Sequence, residues 1–295
     1  MRTGIELTFM EQKMKLEILG SGGAVTAPKP FCTCTSCTEA RKKNHTRYGP
    51  SVFIHGPDIL IDTPEEIAVE VNRTELPQVQ AVFYSHWHPD HTAGKRFFEK
   101  NIDWIGLPPK NKKTKVVLTE TIAATFKSNM ALMDSFSYFS HLGIIDLLII
   151  KDDEELELSG YVIKPVQLAM DYVFGYEISG DGQKFLLIMD ELKNWQPGAA
   201  AAANRYTLVY LPLGIFDINP FTHKRLIDEN HPTLKDEQTI EETLETVQKL
   251  NSDTFVLSHI EEPDNITYAL GKRLSKYYSE KTHKNIILAY DGMII

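Results

Sequence analysis

Cysteine is scarce in this chain, three among 295 residues. So low and odd a count excludes a disulfide framework as the source of stability. No stretch approaches the roughly 18 consecutive apolar residues of a membrane-spanning helix. Basic residues are in deficit: 31 Lys and Arg against 40 Asp and Glu leave a formal charge of −9. That disfavours a broad nucleic-acid-binding surface, though a local patch stays open. Met1 to Gln12 hold no apolar run followed by a small-residue cleavage site, so the reading is no signal peptide and a cytoplasmic protein. Internal repeats and low-complexity segments are missing, apart from the short alanine run 199–203, read as helix. What is present is ordinary for a folded domain: 42% hydrophobic and 24% charged residues. The length is enough for a self-sufficient core, and residues 1–295 read as one domain.

Apolar runs followed by polar punctuation mark the strands. Met14 to Leu19 ends at Gly20-Ser21-Gly22-Gly23, and Ser51–His55 with Ile59–Ile61 flank Gly56-Pro57-Asp58 as a hairpin. Val79–Tyr84 reads as a buried strand, with helix candidates at 65–73 and 92–101. Tyr172–Ser179 and Lys184–Met189 flank Gly180-Asp181-Gly182, a second hairpin signal. Further strands are expected at 207–213, 255–257 and 286–290, and helices at 236–250 and 265–281. Ile240, Leu244 and Val247 form the apolar stripe of the first of these two helices. Residues 24–50 hold all the cysteines. Residues 101–150, with a basic run (Lys110, Lys112, Lys113, Lys115), a helix candidate at 120–133 and an aromatic patch (Phe136, Tyr138, Phe139), read as an insertion or lid, or as a packing excursion with a solvated lysine loop. Strands alternating with helices, plus hairpins, argue an α/β fold with some antiparallel sheet.

The strongest local feature is His86-Trp87-His88-Pro89-Asp90-His91, three imidazoles and a carboxylate within six residues. It follows directly on an apolar strand. Imidazole and carboxylate are the donors that zinc and its neighbours take, so the cluster reads as a metal site. Asp62, Asp190 and His259 each follow an apolar run of their own. Strand ends are where α/β proteins assemble sites, although each of these residues alone also reads as a cap or turn. Cys32-x-Cys34-x-x-Cys37 puts three thiols within six residues, enough to wrap one soft ion and leave one tetrahedral position. Free thiols are the alternative, and a disulfide is disfavoured in a reducing compartment. His231, in Asn230-His231-Pro232, taken alone is a loop histidine. Gly20-Ser21-Gly22-Gly23 lacks the spacing of a dinucleotide-binding loop.

With His86, His88, Asp90, His91, Asp62, Asp190 and His259 in these contexts, the chain resembles the metallo-β-lactamase superfamily of hydrolases. Gly20 to Gly23, the three cysteines with Ala40-Arg41, Phe174-Gly175-Tyr176 and Tyr290-Asp291-Gly292-Met293 make it most similar to the cyclic phosphodiesterase branch of phosphonate breakdown, over roughly residues 14–294. The resemblance implies a four-layer αβ/βα sandwich with a two-metal site at one edge. His86 and His88 would hold the first metal. Asp90, His91 and His259 would hold the second, Asp190 would bridge them, and Asp62 would fix ligands through hydrogen bonds. Asp90 and His231 stand as catalytic residues, His231 as the group that contacts phosphate or protonates the leaving oxygen.

The chain departs from the pattern in two places. Where a third histidine of the first metal is expected, Gln167 stands, a neutral oxygen donor that favours manganese or iron over zinc. Three outcomes are open: Gln167 ligates, Asp171 substitutes, or the site is altered. Where a histidine would complete the cysteine site, Glu262 stands, with His45 as the other candidate. The resemblance implies cleavage of a small or cyclic phosphodiester by a metal-activated hydroxide, with two divalent ions (Zn, Mn or Fe) and one structural Zn as cofactors. Lactone or thioester hydrolysis, or ligand binding without chemistry, are the alternatives that Gln167 and the versatility of the fold leave open. Among partners, a small-molecule phosphodiester is expected, with neither nucleic acid nor membrane, and a homodimer is left open.

Overall fold

Ile59 and Ile61 point to one side of their strand and Leu60 to the other, and all three are fully buried. A strand covered on both faces needs a layer above and a layer below, and this pattern repeats through the chain. The computed structural model describes residues 13–295. The segment 1–12, read above for a signal peptide, lies outside the described residues.

The first half supplies β1 (Lys15–Gly20), β2 (Ser51–His55), β3 (Ile59–Ile61), β4 (Ala81–Phe83), β5 (Thr114–Thr119) and β6 (Ile145–Ile150). The second supplies β7 (Leu156–Leu158), β8 (Tyr161–Gln167), β9 (Phe174–Gly180), β10 (Gln183–Leu187), β11 (Arg205–Pro212), β12 (Asn251–Ser258) and β13 (Ile286–Leu288). A last strand, β14 (Met293–Ile294), returns to the first sheet beside β1. The two seven-stranded sheets run β14-β1-β2-β3-β4-β5-β6 and β13-β12-β11-β10-β9-β8-β7. Each is antiparallel at one end and parallel at the other, with the change at β3 and at β10. Leu16, Ile54, Ile61 and Phe83 meet Ile163, Ile178, Phe185 and Tyr210 between the sheets. Helices cover the outer faces: Phe126, Phe136 and Phe139 pack on Leu60, Val82 and Leu118. On the other side Leu244, Val247 and Leu274 pack on Val209 and Leu257. This is the four-layer αβ/βα sandwich that the resemblance implies.

Local chemistry sets the ends of these elements. The helix Ile240–Lys249 starts at Thr239, whose hydroxyl accepts from the Glu242 N–H while the Glu242 carboxylate accepts from the Thr239 N–H. The stripe read from sequence is its buried face. Asp181 and Gly182 both have positive φ, 50° and 71°, the turn that lets β9 run directly back into β10.

Residues 101–150 correct the reading as an insertion or lid. β5 and β6 continue the parallel half of the first sheet, and helices Glu120–Ser128 and Leu132–His141 form its outer layer. One helix over 120–133 is not seen, because Met130 and Ala131 take left-handed backbone (φ 54° and 50°) and break it. Lys110, Lys112 and Lys113 lie exposed in the loop before β5.

At the other edge of the first sheet, the Asp291 carboxylate accepts from Ser21 N (2.8 Å), Ser21 Oγ (2.7 Å), Tyr48 N (3.0 Å), Thr46 Oγ1 (3.1 Å) and Arg73 Nη2 (3.1 Å). The buried Arg47 donates to Ser21 Oγ and to the Ala289 carbonyl. Among the described residues, no helix is long and apolar enough to cross a membrane.

Candidate metal centre

β3 runs directly into Asp62 and β12 into His259, while His86 follows β4 by three residues and Asp190 follows β10 by three residues. Three residues of the site region hold left-handed backbone: Asp62 (φ 63°), Glu191 (φ 57°) and His259 (φ 55°). Such conformations cost free energy in non-glycine residues and persist where the surroundings impose them. Here the chain turns sharply off each strand and sends the side chain back toward its neighbours. Gly23 is required beside them: a Cβ there would stand 2.3 Å from Cε1 of His259.

The completely buried Asp62 organises the histidines. Its carboxylate accepts from Ser85 N (2.7 Å) and Ser85 Oγ (2.7 Å), and from His91 Nδ1 at 2.8 Å. His91 Nδ1 is therefore the protonated nitrogen, and Nε2 is left as the free donor. Ser85 Oγ also lies 3.0 Å from His86 Nδ1, which turns His86 Nε2 the same way. His91 Nε2 lies 3.3 Å from Asp90 Oδ2 and 3.8 Å from Asp190 Oδ2. His259 Nε2 lies 3.2 Å from Asp190 Oδ2 and 3.5 Å from Asp90 Oδ2. His88 Nδ1 stands 3.3 Å from Glu191 Oε1.

Two groups result, each with its donor atoms within 4.8 Å of one another: His86, His88, Asp190 and Glu191; and Asp90, His91, Asp190 and His259. Asp190 belongs to both. Nε2 of His86, His91 and His259, Oδ2 of Asp90 and Oε2 of Glu191 are buried and make no hydrogen bond. Buried polar atoms are almost always satisfied, so orphans converging on one spot fit a pair of divalent cations.

The charges agree with this. Despite the cost of burial, His91 and His259 hold the Asp90 carboxyl far below the usual carboxylate range, and His259 and His91 do the same for Asp190. Burial works against the His259 imidazolium too, but Asp190 and Asp90 raise it to about 9. Burial and the neighbouring imidazoles push His86 down. Burial, then Asp190 and Glu237, push Glu191 up to about 8.

Of the residues expected here, His86, His88, Asp90, His91, Asp190 and His259 come together, and Asp62 stands behind them. Gln167 is exposed at the end of β8, and its amide nitrogen donates to the Asp171 carbonyl at 2.7 Å. Asp171 is exposed as well. Glu191 is the residue that sequence reasoning missed. It follows Asp190 directly, and only the left-handed backbone turns it into the group. His231 is exposed, at the rim of a cavity of ≈ 470 Å³ that opens over His88, Asp90, Asp190 and His259. Its Nδ1 accepts from Thr233 N.

The second cluster is Cys32, Cys34, Cys37 and Glu262, again within 4.8 Å. Cys34 is the N-cap of the helix Thr35–Lys43, and its sulfur accepts from Cys37 N. The Cys32 thiol donates to Glu262 Oε1 at 2.9 Å, which pushes that thiol up to about 12. Lys29 Nζ holds the other Glu262 oxygen at 2.9 Å. Thus Glu262 is the residue beside the thiols, while His45 lies against Glu39 and Tyr268. The set fits one structural ion of zinc type.

Comparisons with known proteins bear on fold and family. The chain is similar to "a New Diphosphatase from the PhnP Family" (20% identity, 96% of this chain and 97% of that one, TM-score 0.67). It is also similar to zinc-bound PqqB from Methylobacterium extorquens (16%, 95% and 99%, TM-score 0.64) and to the metallo-beta-lactamase fold protein YhfI from Bacillus subtilis (12%, 96% and 99%, TM-score 0.64). Among curated proteins, none is a significant sequence match. The family model described as "Beta-lactamase superfamily domain" matches residues 56–260, a span that runs from the turn before β3 past His259. With its sandwich and its paired metal-binding groups, the chain belongs to that superfamily, as a hydrolase of the metallo-β-lactamase fold.

Proposed function

We propose that this protein is a metal-dependent phosphodiesterase acting on a small or cyclic phosphodiester. The observation that carries the reading is the pair of buried donor groups sharing Asp190 beneath an open cavity. His86, His88 and Asp190 would hold one ion, and Asp90, His91, His259 and Asp190 the other. Ions held by these residues would supply a water of lowered pKa and charge to offset the phosphoryl oxygens. Asp62 keeps His91 in the tautomer that leaves Nε2 free. His231, at the rim, gives a proton to the departing alkoxide. Among the described residues the cavity lining includes no lysine or arginine, which offers no track for a long polyanion and suits a small substrate. Similarity to a protein described as a diphosphatase supports phosphorus chemistry.

The test is ion content per chain, with turnover of bis(p-nitrophenyl) phosphate, a lactone and a thioester on the same preparation. Near three ions and phosphodiester turnover are expected. Turnover of the lactone or thioester alone would overturn the phosphodiesterase reading. His231→Ala should slow an alkyl phosphodiester by roughly 100-fold and barely affect the p-nitrophenyl ester, whose leaving group needs no proton. Equal effects on both would remove His231 from that role.

A further inference from the structure

Glu191 is 4% exposed and is joined to no lysine or arginine among the described ion pairs. Lys193, two residues on, is committed to Glu242 at 3.0 Å. Glu191 Oε1 lies 3.3 Å from His88 Nδ1, while Oε2 is buried without a hydrogen bond. Its neighbour Asp190 is a second buried carboxylate. Asp190 faces the His259 and His91 imidazoles, whereas Glu191 has only His88 beside it; burying that second carboxyl next to Asp190 is costly, and a left-handed backbone at φ 57° adds to the cost. A fold keeps such an arrangement where something offsets it. A carboxylate oxygen of Glu191 lies with donor atoms of His86, His88 and Asp190, all within 4.8 Å of one another. Gln167, by contrast, is exposed, and its amide nitrogen donates to a backbone carbonyl at the surface.

We infer that Glu191 is a protein ligand of the first ion, together with His86, His88 and Asp190. The consequence is a matched pair of positions. Each has two imidazoles and two carboxylates, with Asp190 common to both. Mixed nitrogen and oxygen donors of this kind accept manganese or iron as well as zinc. Both positions should therefore fill with Mn²⁺, and neither should be the weak partner that a neutral glutamine ligand would make.

The inference rests on the two-ion reading, and its test does not use turnover. Protein freed of its buried ions by a chelator, with the cysteine-site zinc checked by elemental analysis, is titrated with Mn²⁺. Free Mn²⁺ is followed by electron paramagnetic resonance, and the bound pair by its spin-coupled signal. The native chain and Gln167→Ala should bind two ions per chain with the coupled signal. Glu191→Gln should keep one ion, bind the second at least tenfold more weakly, and lose the coupling. Glu191→Asp, which keeps the charge, should recover much of the second ion. Two tight, coupled ions in Glu191→Gln would overturn the assignment, as would loss of the coupled pair in Gln167→Ala. Equal loss in Glu191→Asp and Glu191→Gln would make the residue structural only, and should Glu191→Gln not fold, the Asp variant and Gln167→Ala still decide. Two coupled ions with no turnover of any phosphodiester would leave Glu191 in place and sink the phosphodiesterase reading instead.

Discussion

The two donor clusters are built in opposite ways. The histidine and carboxylate cluster draws on residues from 86 to 259, placed beyond the ends of β4, β10 and β12, and its core members His86 and His91 are fully buried. The cysteine cluster takes three of its four donors from six consecutive residues, two of them half-buried, and is closed by Glu262. One is made by the sandwich; the other makes a local turn. Yet they meet on one short segment, since His259 serves the first and Glu262 the second. That segment is fastened to the loop after β1 by Ile260 N on the Ser21 carbonyl and Glu262 N on the Val25 carbonyl. The local cluster therefore helps to position a ligand of the buried one.

The sharpest way to separate the two is Asp190→Ala. Removing the shared carboxylate should empty both buried positions and lower phosphodiester turnover by about 10³-fold or more, with the cysteine-site zinc retained. Loss of that zinc as well would show that the clusters are not separable. Next in size is Asp62→Ala, which touches no ion but frees His91 Nδ1 and Ser85. A 10- to 100-fold loss of metal affinity or activity is expected, about what removal of an outer hydrogen-bond partner costs, measured by chelator competition. Cys34→Ser probes the link between the clusters. One zinc per chain should be lost, and because Glu262 then has fewer partners, affinity at the His259 position should fall by several-fold, up to about tenfold. Unchanged affinity there would break the proposed connection.

The smallest effect is a pH dependence. In the metal-free protein, Asp264 and Glu237 are held up to about 7, Glu191 to about 8 and His259 to about 9, for the acids chiefly by burial and for His259 by Asp190 and Asp90 against burial. Each folded pKa lies above its unfolded value. The stability each contributes is complete below the unfolded pKa and is lost as pH rises through the folded one. Because the depressed His86 and His88 gain stability as pH rises toward about 6.5, the net fall is expected above that: thermal scans should show Tm falling by roughly 5 °C between pH 7 and 9 in metal-free protein. The fall should be smaller in loaded protein, where the deprotonated forms bind ions. Cys32, at about 12, gives up its share only above pH 9, outside that window. A flat profile in the metal-free protein would contradict the charge arrangement described.

The legible part of the site is the part written as an apolar strand followed by a polar residue. His86 to His91, Asp62, Asp190 and His259 all have that form, because a buried strand must be apolar and its end is the first place where a polar group can reach a site. Glu191 has no such signature. Its neighbour Asp190 already marks the strand end, and its direction comes from a backbone conformation that no spacing encodes. In the fold, β5 and β6 were hidden for different reasons. β5 is preceded by an exposed lysine loop that reads as surface, and β6 is an edge strand with four of its six residues exposed to some degree, Ile149 among them. The helix over 120–133 breaks without a sequence signal, because Met130 and Ala131 are not residues that announce a left-handed turn.

The tie between Asp291 and Ser21 spans 270 residues of sequence. β14, which covers one edge of β1, also comes from the far end of the fold. On a ribosome adding about 5–20 residues per second, β1 would wait on the order of 10–50 s for its neighbour. During that interval the growing chain carries an uncovered strand edge, the surface on which chains most readily pair with one another. The yield of this protein in a cell should accordingly depend on how quickly the residues that form β14 are synthesised.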